Sequence, residues 1–215
     1  MKEDYYIKEI EYKDTKDFIL NKHYAQRMPS ISYAFGLFNK ENNLIGVLTI
    51  GKPASPSLCV GILGEEYASQ VYELNRLVVL EGLERNVLSY FVGQVLKNLK
   101  KEDLVLVSYA DEGMGHYGFI YQATNWIYTG KTKQRTDKYT ETNKHSRHYK
   151  DKNNHLRKVR TPKHRYVYFT KNKKLKDKLK YPILPYPKGD PKYYTLGERM
   201  KTKVLNTKTG EYYYQ

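Results

Sequence analysis

Between two apolar, strand-like runs lies YADEGMGHYGFIYQATNWIYTG, residues 109–130, which gathers Asp111, His116, Tyr121, Gln122, Asn125 and Tyr128. A plain core segment has little use for so many titratable and amide groups. A cleft that moves protons and holds a polar substrate needs them. Ser108 and Asp111 close the strand-like VSYAD, and ligand sites in open α/β sheets lie beyond the carboxyl ends of strands. Asp111 is therefore expected to orient His116 or His23, act as a base or bind a metal. The plainer reading is a cap for the helix starting near Gly115. Tyr121 is either a polar member of that cleft or a core tyrosine.

Two other stretches carry suitable chemistry. His23 and Tyr24 end an early helical segment in NKHYAQRMP. A histidine there can take a proton from an attacking amine or bind a metal, or simply satisfy a helix C-terminus. In VYELNRLVV, strand alternation puts Glu73 and Asn75 on one face and Leu74 and Arg76 on the other. A buried charge requires a partner, so Arg76 is expected to pair with a carboxylate such as Asp111, or with a phosphate. In GHYGFIYQATN, helical spacing puts Gly118, Tyr121, Gln122 and Asn125 on one stripe, on a helix that also carries His116.

These residues need a scaffold. YYIKEIEY alternates as a strand, KDFILNKHYAQRM reads as a short helix, and ISYAFGLFN with LIGVLTIGKPA reads as a hairpin turned at KENN. PSLCVGILG is a short helix or loop, and VYELNRLVVL a strand. Apolar spacing at Val87, Leu88, Phe91, Val92, Val95, Leu96 and Leu99 predicts an amphipathic helix. DLVLVSYAD, WIYTGKT and RYVYFT are further strands, with a helix at GHYGFIYQATN and a short basic helix over residues 171–180. The order predicts an α/β fold with a mixed central sheet flanked by helices over 1–170, and a basic, proline- and tyrosine-containing extension over 171–215.

The chain has 215 residues and a formal net charge of +15, unevenly placed. Residues 1–130 sum to −3 and residues 131–215 to +18. Tyrosines number 23 against 6 phenylalanines and 1 tryptophan; AT-rich coding would produce the same bias. Tyrosine and histidine interleaved with lysine and arginine suit a polyanion with bases to stack on, whereas the bland reading is a solvated basic surface. The residues expected to face nucleic acid are Lys131, Lys133, Arg135, Lys144, Arg147, His148, Arg157 and Arg160. The single cysteine, Cys59, excludes an internal disulfide and any multi-cysteine zinc site. A charged N-terminus and the lack of a ~20-residue apolar run predict a cytoplasmic protein with no membrane span.

The predicted order is similar to the GNAT acyltransferase fold. The blocks HYAQRMPSISYAFGLF, IGVLTIGKPAS, YELNRLVV, RNVLSYFVG, VSYAD and GHYGFIYQATNWIYTG resemble the Mom family of phage DNA-modification proteins. The resemblance runs from about Asn21 to about Arg147 and more weakly to YPILPYPK. It implies conversion of adenine in DNA to an N6-carbamoylmethyl adenine, protecting phage DNA from host restriction in the host cytoplasm. It implies DNA as partner, acetyl-CoA or another acyl or aminoacyl donor as cofactor, and allows a metal. The catalytic set it points to is His23, Tyr24, Arg76, Ser108, Asp111, His116 and Tyr121, with Tyr121 as proton donor to a leaving thiolate. Donor contacts are expected from Val78, Arg85, Asn86, Ser89, Asn125 and Tyr128. The loop EGLERNVLS departs from the Gly-rich phosphate loop of GNAT enzymes in having one glycine, Gly82. Backbone N–H groups at a helix N-terminus still bind phosphate, and Arg85, Asn86 and Ser89 add polar side chains.

The chemistry is demanding. Adenine N6 is a weak nucleophile stacked inside duplex DNA, so the base must be flipped or caught unpaired. Transfer from acetyl-CoA alone gives an N-acetyl group. A carbamoylmethyl group is joined through its CH₂ and carries an extra nitrogen, which a glycine-derived donor or a metal-assisted step would accommodate. Two other functions compete: a GNAT N-acyltransferase acting on a small amine or protein lysine, and a non-catalytic DNA-binding protein on the same scaffold.

Overall fold

A computed structural model of the chain describes residues 4–141, 148–190, 192 and 194–215. Strand and helix periodicities build a three-layer body. The strands are β1 (Tyr5–Glu9), β2 (Tyr33–Asn39), β3 (Leu44–Gly51), β4 (Val71–Val79), β5 (Val105–Asp111), β6 (Ile127–Lys131), β7 (Arg135–Lys138), β8 (Leu156–Arg160), β9 (Lys163–Phe169), β10 (Lys203–Asn206) and β11 (Tyr212–Tyr214). The helices are α1 (Tyr12–Asp17), α2 (Pro56–Leu63), α3 (Val87–Asn98) and α4 (Phe119–Ala123). The main sheet has seven strands in the order β1-β2-β3-β4-β5-β9-β6. Only its β4–β5 pairing is parallel; the others are antiparallel. This is the mixed central sheet flanked by helices that the sequence predicts. Among the described residues no helix is long and apolar enough to cross a membrane.

Alternation in β5 explains the layering. Leu106 and Ala110 join the core under α3, whereas Val105 and Val107 join the core under α2. On α3, Val87, Phe91, Val92, Val95 and Leu96 are buried. Each such side chain contributes about 1.5–3 kcal/mol of gross hydrophobic stabilisation. Pro56 stands in the first turn of α2, where its missing N–H costs nothing.

Several local expectations are corrected. The early helix ends sooner: α1 continues into a π-helical turn, Phe18–Lys22, and His23 leaves it in extended conformation. The helix expected from Gly115 is only Phe119–Ala123. Gly115 and Gly118 hold φ of +67° and +78°, which breaks the helix ahead of Phe119. His116 is therefore in a loop, and Asn125, at φ +62°, lies past the helix end. Residues 173–178 form a 3₁₀ turn where a basic helix is expected. A bulge also alters β4: Thr49 pairs with Arg76 and Ile50 with Leu74, leaving Asn75 over. The extra residue brings Arg76 to the side of the sheet that Glu73 faces.

A second sheet, in the order β11-β10-β8-β7, is absent from the sequence reading. It draws β7 and β8 from before residue 170 and β10 and β11 from after it.

Candidate active site

β4 and β5 run side by side only from Val71↔Val105 to Glu73↔Val107 and then separate. Ser108 sits where they part. Its Oγ lies 2.8 Å from the Leu74 carbonyl oxygen and 2.7 Å from the Tyr121 hydroxyl. A hydroxyl has one proton to give, so when it serves Leu74 the Tyr121 phenol donates to Ser108. Burial pushes the Tyr121 phenol well above its ordinary value, so it keeps its proton at neutral pH. Tyr121 is thus a buried, protonated phenol behind the parting of the strands, packed against Trp126 and Tyr166.

On the opposite side of the sheet an aromatic cluster forms. The His23 ring stacks on Tyr24 with centroids 4.3 Å apart. Tyr194, from the C-terminal tail, lies 5.0 Å from Tyr24 and 6.0 Å from His23, and His116 lies 6.2 Å from both Tyr24 and Tyr194. His23 Nδ1 accepts the Ala25 N–H at 3.0 Å, which assigns the ring proton to Nε2. Burial, with the nearby charges of Arg76, His116 and Lys163, lowers its pKa to about 3. The geometry leaves His23 a neutral ring with its proton at Nε2. Burial and the Asp111 charge raise Tyr24 to about 12.

Asp111 does not pair with Arg76. Its Oδ1 accepts from Gly113 N–H at 3.0 Å and from the Thr161 hydroxyl at 2.5 Å, and its Oδ2 faces Lys163 Nζ at 3.0 Å. It caps the 3₁₀ turn Glu112–Met114 and so positions the loop that carries His116, whose N–H bonds the Asp111 carbonyl at 3.1 Å. Arg76 donates to the Arg27 carbonyl at 2.9 and 3.3 Å and to the Asn75 carbonyl at 2.6 Å. Asn75, freed by the bulge, accepts from Thr49 and donates to the Ser30 carbonyl. Burial raises the Glu73 carboxyl. Among the described residues no group of three His, Cys, Asp or Glu side chains is placed to hold a metal.

The expected donor residues divide. Asn86, Ser89 and Asn125 line one open groove of about 450 Å³ between α3 and the end of α4, with Gly93, Leu96, Lys97, Lys100 and Tyr168. A Cβ at Gly93 would meet nothing within 4 Å, so that glycine leaves room rather than enabling close packing. Lysines at one end and an apolar floor fit a phosphate-bearing acyl donor. Arg85 is exposed beside the groove. Val78 packs with Phe18 and Val47 under α1, and Tyr128 is buried with its hydroxyl 2.9 Å from His164 Nδ1; neither lines the groove.

The expected DNA-facing residues lie toward the second sheet. Lys133, Arg135 and His148 are exposed, and Arg157 is on β8. Lys131 pairs with Glu112 and Arg160 with Asp137. Lys144 and Arg147 lie outside the described residues. Sequence reasoning missed Tyr194, Thr161 and Lys163, whose contacts cross long stretches of chain and leave no local pattern.

Solved structures of similar shape include the ribosomal-protein-S5-alanine acetyltransferase of Vibrio fischeri, 11% identical with a TM-score of 0.49 over 78% of this chain and 94% of that one. The spermidine/spermine N-acetyltransferase of Vibrio cholerae is 7% identical, with a TM-score of 0.46 over 78% and 93%. The methylcarbamoylase mom of Escherichia phage Mu is 30% identical over 119 residues, 54% of this chain and 49% of that protein. The match thus spans about half the length of that curated relative. The sequence profile of the Mom protein family matches residues 4–188, and the chain belongs to that family.

Proposed function

We propose that the protein is a DNA-modifying transferase that converts adenine to an N6-carbamoylmethyl-type adenine. The observation that carries this reading is the pairing of two sites across the parting of β4 and β5. An aromatic cluster with neutral donors lies on one side, and a buried phenol beside a lysine-lined groove on the other. A flipped adenine is held by stacking on Tyr24 and Tyr194, with the His23 Nε2–H donating to a ring nitrogen. Asp111 positions the His116 loop, and Arg76 supplies fixed positive charge between the base and Glu73. Tyr121 retains its proton and gives it to the leaving group through the Ser108 gap. Asn86, Ser89, Asn125, Lys97 and Lys100 would hold the donor of the carbamoylmethyl group; when bound it would supply a CH₂ carbon whose bond to N6 forms as its bond to the leaving group breaks, with the N6 proton lost to solvent. The basic second half grips phosphates with little sequence reading.

The test is mass spectrometry of nucleosides from DNA of cells expressing the protein. A heavier deoxyadenosine is expected, its added mass naming the group, and it should vanish with Tyr121→Phe and with Asp111→Asn. Unmodified DNA in cells rich in folded protein overturns the proposal.

A further inference from the structure

The second sheet has two unlike faces. Pairing places Lys138 opposite Arg157, Arg157 opposite Leu205, and Leu205 opposite Tyr212, so these four form one row. Two residues along, on the same face, are Lys203 and Tyr214, themselves a pair. The other face carries Lys158 and Val204, both buried, with Tyr213 exposed at its edge. The row therefore faces solvent: Tyr212 is 52% and Tyr214 66% exposed. Lys203 Nζ lies 4.2 Å from the Tyr212 ring centre. Lys138 Nζ lies 3.4 Å from that of Tyr149, which is 38% exposed. The strand residues of this face include no Asp or Glu; Asp137 points to the other face, where it meets Arg160. β10 and β11 also lie beyond residue 188, where the family match ends.

Exposed tyrosines interleaved with lysine and arginine have a specific complement. Every base offers a flat face to an aromatic ring, and each unpaired nucleotide brings a phosphate to a nearby cation. A duplex hides its base faces and cannot use the rings. We propose that this face binds an unpaired DNA strand, with bases stacked on Tyr149, Tyr212 and Tyr214 and phosphates on Lys138, Arg157 and Lys203. Position supports it: β8 ends at Arg160, next to Thr161, which bonds Asp111 of the cleft. A base drawn into the cleft leaves unpaired neighbours, and the platform is placed to hold them. This inference rests on the cleft being a site of DNA modification.

The full-length protein is tested by fluorescence anisotropy against a short labelled oligothymidylate and a duplex of equal length. The Tyr212→Ser/Tyr214→Ser variant should lose about tenfold or more in affinity for the single strand and change little for the duplex. Because β11 is short and could detach in that variant, photocrosslinking of the unaltered protein to an oligonucleotide carrying 5-iododeoxyuridine is the second measurement. Adducts are expected at Tyr149, Tyr212 or Tyr214. Crosslinks confined to other regions, equal losses for strand and duplex, or preference for an RNA strand overturn the proposal. So does a concentration-dependent dimer that the double variant abolishes while strand binding stays intact. If nucleosides are modified but the double variant binds single strands normally, the platform fails and the cleft reading stands. If strand binding depends on the tyrosines but no modified nucleoside forms, the cleft reading fails and the platform stands.

Discussion

His23 shows how far burial moves a single group from its expected role. Its ring is surrounded by Tyr24 and Tyr194, and desolvation together with the Arg76, His116 and Lys163 charges lowers its pKa from 6.5 to about 3. In the unfolded chain it takes a proton below about pH 6.5; in the folded chain it stays neutral to about 3. Between those values the unfolded state binds more protons, so stability rises with pH. The contribution is complete above about pH 6.5 and is lost progressively as pH falls toward about 3. Burial lowers His116 and His164 in the same direction, and it raises Glu73, which gives the opposite slope. Urea unfolding from about pH 7 down to about pH 5 should show falling stability, with a shallower slope in His23→Gln. Equal slopes in the two proteins would show that His23 titrates as freely folded as unfolded.

At the level of elements, the tail around Tyr194 acts as a strap. It is tied to the body by Gly197 N–H to the Lys22 carbonyl at 2.9 Å and Gln26 Nε2 to the Gly197 carbonyl at 2.9 Å. Leu196 N–H adds a bond to Glu81 Oε1 at 3.0 Å. The Tyr24 and Tyr194 rings are in contact, so under the proposed function a base would enter by parting this strap and then stack where the rings now meet. Tyr194→Ala should reduce modified nucleoside at least about tenfold, in line with the energy of one base–aromatic stack. Tyr194→Phe, which keeps the ring, should retain it. Undiminished product from the alanine variant would remove Tyr194 from the site. Ser108 and Tyr121 were legible in sequence because a strand end followed by a polar helix is itself a local pattern. The bulge at Asn75 was not, since strict alternation assigns Arg76 to the wrong face. The two glycines of GHYG were a readable break signal. They mark left-handed turns, and at Gly118 a Cβ would come within 2.4 Å of the Tyr166 ring.

Across the whole molecule, charge was more legible than structure. The split between −3 and +18 marks a body and a polycation, but the strands of the second sheet carry no apolar alternation. β7, RTDK, and β11, YYY, are short, and the sheet is joined only where β10 pairs with β8 from a distant segment. Pairing nonetheless turns a basic, tyrosine-rich sequence into a surface with a buried side and a charged side, beside the cleft. If that surface and its flanks neutralise about six phosphates, affinity for duplex DNA should fall about a thousandfold from roughly 50 to 200 mM salt. Replacing Arg157 and Lys203 with glutamine should flatten the logarithmic slope by about two phosphates. Anisotropy titrations over that salt range read both quantities. A slope near zero would mean that the lysines and arginines are only a solvated surface, and that whatever holds DNA at the cleft relies on base contacts alone.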